Sequence, residues 1–136
     1  MSDIIINPFA SKSQLVGVLP EVLMLHYNLS CESPEVLMPP GVLKHLKKRG
    51  HWDAFLQYYQ DIPSIIASPD YAGQNSKEPD SVELYKVLDD HILIAIKMNP
   101  QKSLFLGSFY ELDNAEKKIS GRLRTHRIYP FHYFLE

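Results

Sequence analysis

Residues 44–51, KHLKKRGH, set two imidazoles, His45 and His51, among Lys44, Lys47, Lys48 and Arg49. Imidazole suits proton transfer because its unperturbed pKa lies near neutrality, and guanidinium grips phosphate through a planar fork. On a helix, His45 and Arg49 stand four residues apart on one face, so a proton carrier and an anion clamp can meet the same anion. Lys48 adds charge beside them. His51 follows Gly50, a residue suited to ending such a helix. A merely solvated basic helix face is the competing reading.

A second basic stretch, KKISGRLRTHR at 117–127, holds Lys117, Lys118, Arg122 and Arg124, with Lys118 and Arg122 again four apart. Neither stretch contains an acid, and together they carry nine of the 14 basic residues. The rest of the chain has five basic residues against 16 acids, which gives the net charge of −2. Brought onto one face, the two stretches make a positive patch on an acidic body, able to attract polyanions in a salt-dependent way. Kept apart, they are two solvated surfaces.

Other chemistry-bearing residues lie in apolar runs. Lys97 ends ILIAIK, where a strand delivers a cation either to a cleft or to solvent. Ser108 and Tyr110 are two apart in one strand and share a face, as do Ser81 and Glu83, with Lys86 on the opposite side. Glu83 is a reserve candidate base. The six histidines show no H-E-x-x-H or comparable spacing, and the single Cys31 builds no zinc cluster. Walker A and G-x-G-x-x-G fingerprints are absent, so neither a metal nor a cofactor is indicated. His26 reads as a packing or capping residue.

These groups need elements to hold them. At 136 residues, 45% hydrophobic and 22% charged, the chain has the size and composition of one globular domain. It shows no membrane-length apolar run and no secretory leader, and with one cysteine it suits a reducing cytoplasm. Residues 3–6 read as a short edge strand. Residues 14–28 have helical spacing, with Pro20 in the first turn of a helix over about 20–28. PEVLM at 34–38 reads as a strand. A helix follows from about 42 to Gly50, a second over about 52–60, and a short turn of helix through Ile66. Residues 73–80 read as a polar loop. SVELYKVL, HILIAIKM and KSLFLGSFYEL then form an antiparallel meander. Asp113 or Asn114 caps a helix over AEKKISGRLR, and the tail YPFHYFLE packs as a last strand or covers a partner. The class is α+β, with helices first and a sheet after them.

The ordered set H-x-x-K-R-x-H, IPSIIASPDYAG, SVELYK, ILIAIK, SFYE and K-x-x-x-R-L resembles the phage-associated nucleases grouped with barnase, EndoU, colicin-type RNases and RelE. The likeness covers about residues 35–125, leaving 1–34 as a helical extension and 126–136 as an aromatic tail. It implies N-terminal helices packed on an antiparallel sheet of about four strands. It also implies metal-independent RNA cleavage by 2′-hydroxyl attack, in a toxin or phage-effector setting. His45 matches the first histidine of the motif, and His51 is a second candidate proton carrier. Lys97, Arg49, Ser108 and Tyr110 join the candidate catalytic set. Lys48, His51, Ser81, Lys118 and Arg122 are candidate substrate contacts. The implied partner is RNA, either tRNA or mRNA, with an immunity, antitoxin or host protein as a second. A catalytically silent binding module of the same fold is the alternative.

Overall fold

The computed structural model describes residues 4–136, and its centre is the antiparallel meander. Three strands, called here β4 (Ser81–Val87), β5 (His91–Met98) and β6 (Leu104–Glu111), pair in sequence order. β5 is the middle strand, so its near-continuous apolar run HILIAIKM is buried on both faces, as the run implies. The sheet then extends well beyond about four strands. Seven strands run in the order β1-β2-β6-β5-β4-β3-β7, with β1 (Gln14–Val18), β2 (Glu35–Met38), β3 (Tyr71–Gly73) and β7 (Ile128–Pro130) on the flanks. The sheet is mixed, because β2 runs parallel to β6 while every other pairing is antiparallel.

Several expectations change. Gln14–Val18 is a strand, not the start of a helix, so the segment before residue 35 is not simply helical. Pro20 blocks helix propagation from upstream and favours extended backbone at Leu19. Val16 is fully buried, and β1 pairs along β2. Only Glu21–His26 forms helix α1 there. Ile4–Ile6 form no strand, and Asp3 lies outside the described residues. Tyr71–Gly73 pair on both sides, with β4 and with β7, so the polar loop begins after Gly73. The aromatic tail packs on the body as β7 and a short helix, α6 (His132–Leu135).

Helices cover both faces of the sheet. On one face α2 (Pro40–Lys48), α3 (Trp52–Tyr58) and α4 (Ile62–Ala67) contribute Leu43, Leu46, Phe55, Ile62, Ile65 and Ile66 to the main core. On the other face α5 (Ala115–Arg124) sets Ala115 and Ile119 against Tyr85, Leu93 and Ile128. Asn114 precedes α5 with φ 51° and makes no side-chain cap, so the expected capping bond is absent.

Two local devices position the chemistry. The end of α2 is a Schellman turn: Gly50 takes φ 78°, its N–H reaches the Lys47 carbonyl, and the His51 N–H donates to the Leu46 carbonyl at 2.8 Å. This fixes where His51 leaves the helix. The second device is a bulge in β6. Ala95 faces Ser108 and Ile96 faces Leu106, leaving Gly107 as an extra residue. Leu104 and Leu106 point to the main core; strict alternation would send Ser108 and Tyr110 there too. The extra residue reverses the phase, so Phe109 enters the core and Ser108 and Tyr110 turn to the α5 face.

Candidate active site

Cross-strand register lays the polar residues of the α5 face in rows. One row runs Gly73, Glu83, Ala95, Ser108, and the next runs Tyr71, Tyr85, Leu93, Tyr110. Ala95 has the smallest side chain of its row after Gly73, so a low floor separates Glu83 from Ser108.

At the β6 end, β2 pairs only with Leu104 and Phe105. The rest of that strand edge is taken by α2, whose buried Leu46 packs inward while its exposed face carries His45 and Arg49. His45, Arg49, His51, Ser108 and Tyr110 thereby line one depression of about 190 Å³. The His51 ring lies over Tyr110, with centroids 5.6 Å apart and planes tilted by 36°. Residues from a helix, the turn after it and a bulged strand therefore converge.

At the β4 end the chain buries a charge. Glu83 is only 7% exposed and is held by three donors. Arg127 gives it two bonds, Nε to Oε1 at 3.0 Å and an Nη to Oε2 at 2.6 Å, and the Tyr85 hydroxyl donates to Oε1 at 2.9 Å. Arg122 in turn donates to the Tyr85 oxygen at 2.8 Å. Two guanidiniums thus flank one carboxylate, leaving this end of the face with a net positive charge. The hydrogen bond to Glu83 raises the Arg127 pKa despite partial burial. Burial, then the Glu83 charge, lifts the Tyr85 phenol far above its ordinary value, opposed by Arg122. Burial is also the largest cause of the raised Tyr110 pKa; Glu83 adds to it while Arg122 and Arg127 oppose it. Tyr110 thus feels the charges of the β4 end while it lines the depression beside His51, and so lies between the two groups.

The remaining candidates lie elsewhere. Lys97 points to the same sheet face but one row away, its Nζ 3.4 Å from Glu78 Oε1, so it does not join His45 and Arg49. Ser81 is 3% exposed, and its hydroxyl donates to the Glu78 carbonyl at 2.8 Å. That bond shapes the loop and leaves no free hydroxyl for a substrate. Lys48 is exposed on α2, outside the depression. Lys118 is half-buried on α5, one turn before Arg122, while Lys117 and Arg124 are exposed. Lys86 turns away and bonds the Ser68 carbonyl. Arg127 and Tyr85 are the residues the sequence reading left out of the site. A usable signal existed, since Glu83 is an acid inside the otherwise apolar strand VELY and required a buried cationic partner. Among the described residues no three His, Cys, Asp or Glu side chains gather as metal ligands would. No helix among them is long and apolar enough to cross a membrane.

Comparison with curated proteins and with solved structures gave no match. A family model for the phage-Barnase-EndoU-ColicinE5/D-RelE like nuclease3 group matches residues 14–119, which include β1 to β6 with His45, Arg49, His51, Glu83, Ser108 and Tyr110. The match spans most of the 136 residues, and the motifs that carried the resemblance fall within it apart from the closing K-x-x-x-R-L, which runs past residue 119 to Leu123. The chain belongs to the phage-Barnase-EndoU-ColicinE5/D-RelE like nuclease3 family.

Proposed function

We propose that this nuclease-family chain is an endoribonuclease that cleaves RNA without a metal, by attack of the 2′-hydroxyl on the adjacent phosphate. The observation that carries the reading is the meeting of His45, Arg49, His51, Ser108 and Tyr110 in one depression, on the sheet face that also holds the Glu83–Arg127 pair. In this reaction the substrate supplies its own nucleophile. The protein must remove a proton from the 2′-oxygen, return one to the leaving 5′-oxygen, and stabilise the charge gathering on the phosphate oxygens. His45 and His51 are the proton carriers. Arg49 grips the phosphate from the helix side, and Arg127 and Arg122 add positive potential from the sheet side. Ser108 and Tyr110 donate hydroxyl bonds between them. Glu83 has three of about four acceptor positions filled, so its role is to anchor Arg127.

The test is cleavage of RNA in the presence of EDTA. Products should carry 2′,3′-cyclic phosphate ends, and oligonucleotides lacking the 2′-hydroxyl should resist. His45→Ala should lower the rate on the order of 10²-fold or more, the scale of a lost acid–base group. Full activity in that variant would remove His45 from the mechanism. A second reading, a silent binding module acting on RNA or on a host or immunity protein, is favoured by the acidic body and net charge of −2. Retained RNA binding with no cleavage of tRNA, mRNA or rRNA would establish it.

A further inference from the structure

The sheet face holding the site continues past it by one row. Ser81, Lys97 and Phe105 stand opposite one another there, two residues along β4 and β5 from Glu83 and Ala95, and beyond the Gly107 bulge from Ser108 on β6. Two strand residues span about 7 Å, so this row is the next station for a chain laid across the site. An opening of about 290 Å³ lies over it, walled by Glu78, Pro79, Lys97, Asn99, Pro100 and Phe105. This opening is the ground on which Lys97 and Ser81 sit, two of the candidates that do not join the depression at Arg49.

Its chemistry differs from that of the depression. Phe105 and the two prolines give apolar walls. Lys97 and Glu78 stand side by side at the rim, 3.4 Å apart and both solvent-accessible, with Asp80 beside them. Two carboxylates against one ammonium make the rim net negative, which disfavours phosphate. An uncharged flat group with a hydrogen-bond donor next to an acceptor fits both wall and rim, and that is the edge every nucleobase presents. The loop bearing Glu78 is already built. Gln74 Nε2 donates to the Pro79 and Ser81 carbonyls, both at 3.0 Å. Ser81 holds the Glu78 carbonyl, and the Met98 N–H holds the Asp80 carbonyl at 2.8 Å. A wall set before binding requires no ordering when the base arrives.

We infer that this opening is a nucleobase subsite, in which Phe105 stacks on the base next to the scissile phosphate while Glu78 and Lys97 read its edge. The inference rests on the ribonuclease reading for its biological role, but its binding chemistry can be measured apart from cleavage. The probes are four 2′-deoxy dinucleotides with one base fixed and the other varied, titrated against the labelled protein while amide shifts are followed. Saturable shifts at Lys97, Asn99 and Phe105 are expected, with one base preferred by roughly tenfold. Phe105→Ala should weaken that binding by roughly tenfold, as loss of a stacking partner does. The exposed variant Glu78→Gln, which leaves the fold intact, should erase the base preference. The exchange of Glu78→Lys with Lys97→Glu should keep the ion pair and alter which base is preferred. Shifts confined to the Arg49 and Tyr110 end, or a response indifferent to base and to Glu78→Gln, would overturn the subsite. Cleavage of the matching ribonucleotides without shifts at Phe105 ends the subsite and spares the ribonuclease reading. Shifts without cleavage support the subsite and end that reading.

Discussion

Removing Arg127 should destabilise the protein more than removing the charge it binds. Glu83 has a side chain 9% exposed, whereas that of Arg127 is 30% exposed. Arg127→Ala therefore strands a carboxylate away from water with the Tyr85 hydroxyl as its remaining donor. Breaking a buried pair in this way costs about 3–5 kcal/mol, and the partial solvent access of the site places this case near 3 kcal/mol. Glu83→Gln removes the charge but keeps the shape, and leaves a guanidinium that water already reaches. Its cost should be about 1–2 kcal/mol, the scale of weakened charge-assisted bonds. Replacing both partners by apolar residues, Glu83→Leu with Arg127→Met, should recover most of the loss. With a urea slope of about 2 kcal/mol/M, the Arg127→Ala midpoint should fall by roughly 1.5 M. The fluorescence of Trp52, the single tryptophan, stacked on Phe55 at 5.3 Å, reports the transition from the opposite face. Far-UV circular dichroism checks that both probes coincide. A midpoint shift under about 0.5 M for Arg127→Ala, or a larger loss for Glu83→Gln than for Arg127→Ala, would refute this account of the pair.

Arg49→Lys should keep the charge and lose the planar fork, lowering the RNA cleavage rate by roughly tenfold or more with no change in thermal midpoint. A Cβ at Gly73 would collide with the Arg127 carbonyl and with Ile128, both on packed backbone. Gly73→Ala should therefore cost about 2–3 kcal/mol or more in thermal melts. The Tyr85 phenol is raised by folding, so its stabilising effect is present below the ordinary phenol value of about 10 and is lost as pH climbs beyond it. Urea midpoints measured near pH 8 and pH 11 should fall less in Tyr85→Phe than in the parent.

The parts of this molecule legible in the sequence are those governed by neighbours along the chain. Val42, Leu43 and Leu46 spaced around a basic face, followed by Gly50, specify α2 and its end; the apolar run at 91–98 between turn residues specifies β5. His45 and Arg49 follow from helix periodicity alone. What escaped is set by distant partners. Gln14–Val18 extends because β2 is there to pair with it, and the parallel β2–β6 contact has no local sign. Tyr71–Gly73 is too short to show a period, yet it is clamped between β4 and β7. Lys97 illustrates the limit from the other side: its face was readable, but the position of Glu78 across the loop, which draws it away from His45, was not. Arg127 was counted among the basic residues of its stretch, and its separation of 44 residues from Glu83 hid the pairing.

That separation has a consequence for how the molecule comes into being. The ribosome makes the meander, with Glu83 in it, before it makes Arg127, and β3 waits longer still for its second neighbour, β7. A nascent chain that has finished β6 already owns most of its hydrophobic interior, but its central carboxylate has no counter-ion and the anion site is half built. Even the segment that identifies the family, ending at residue 119, stops before Arg122 and Arg127. On the ribonuclease reading proposed above, readiness to attack RNA is thereby deferred until synthesis has passed β7.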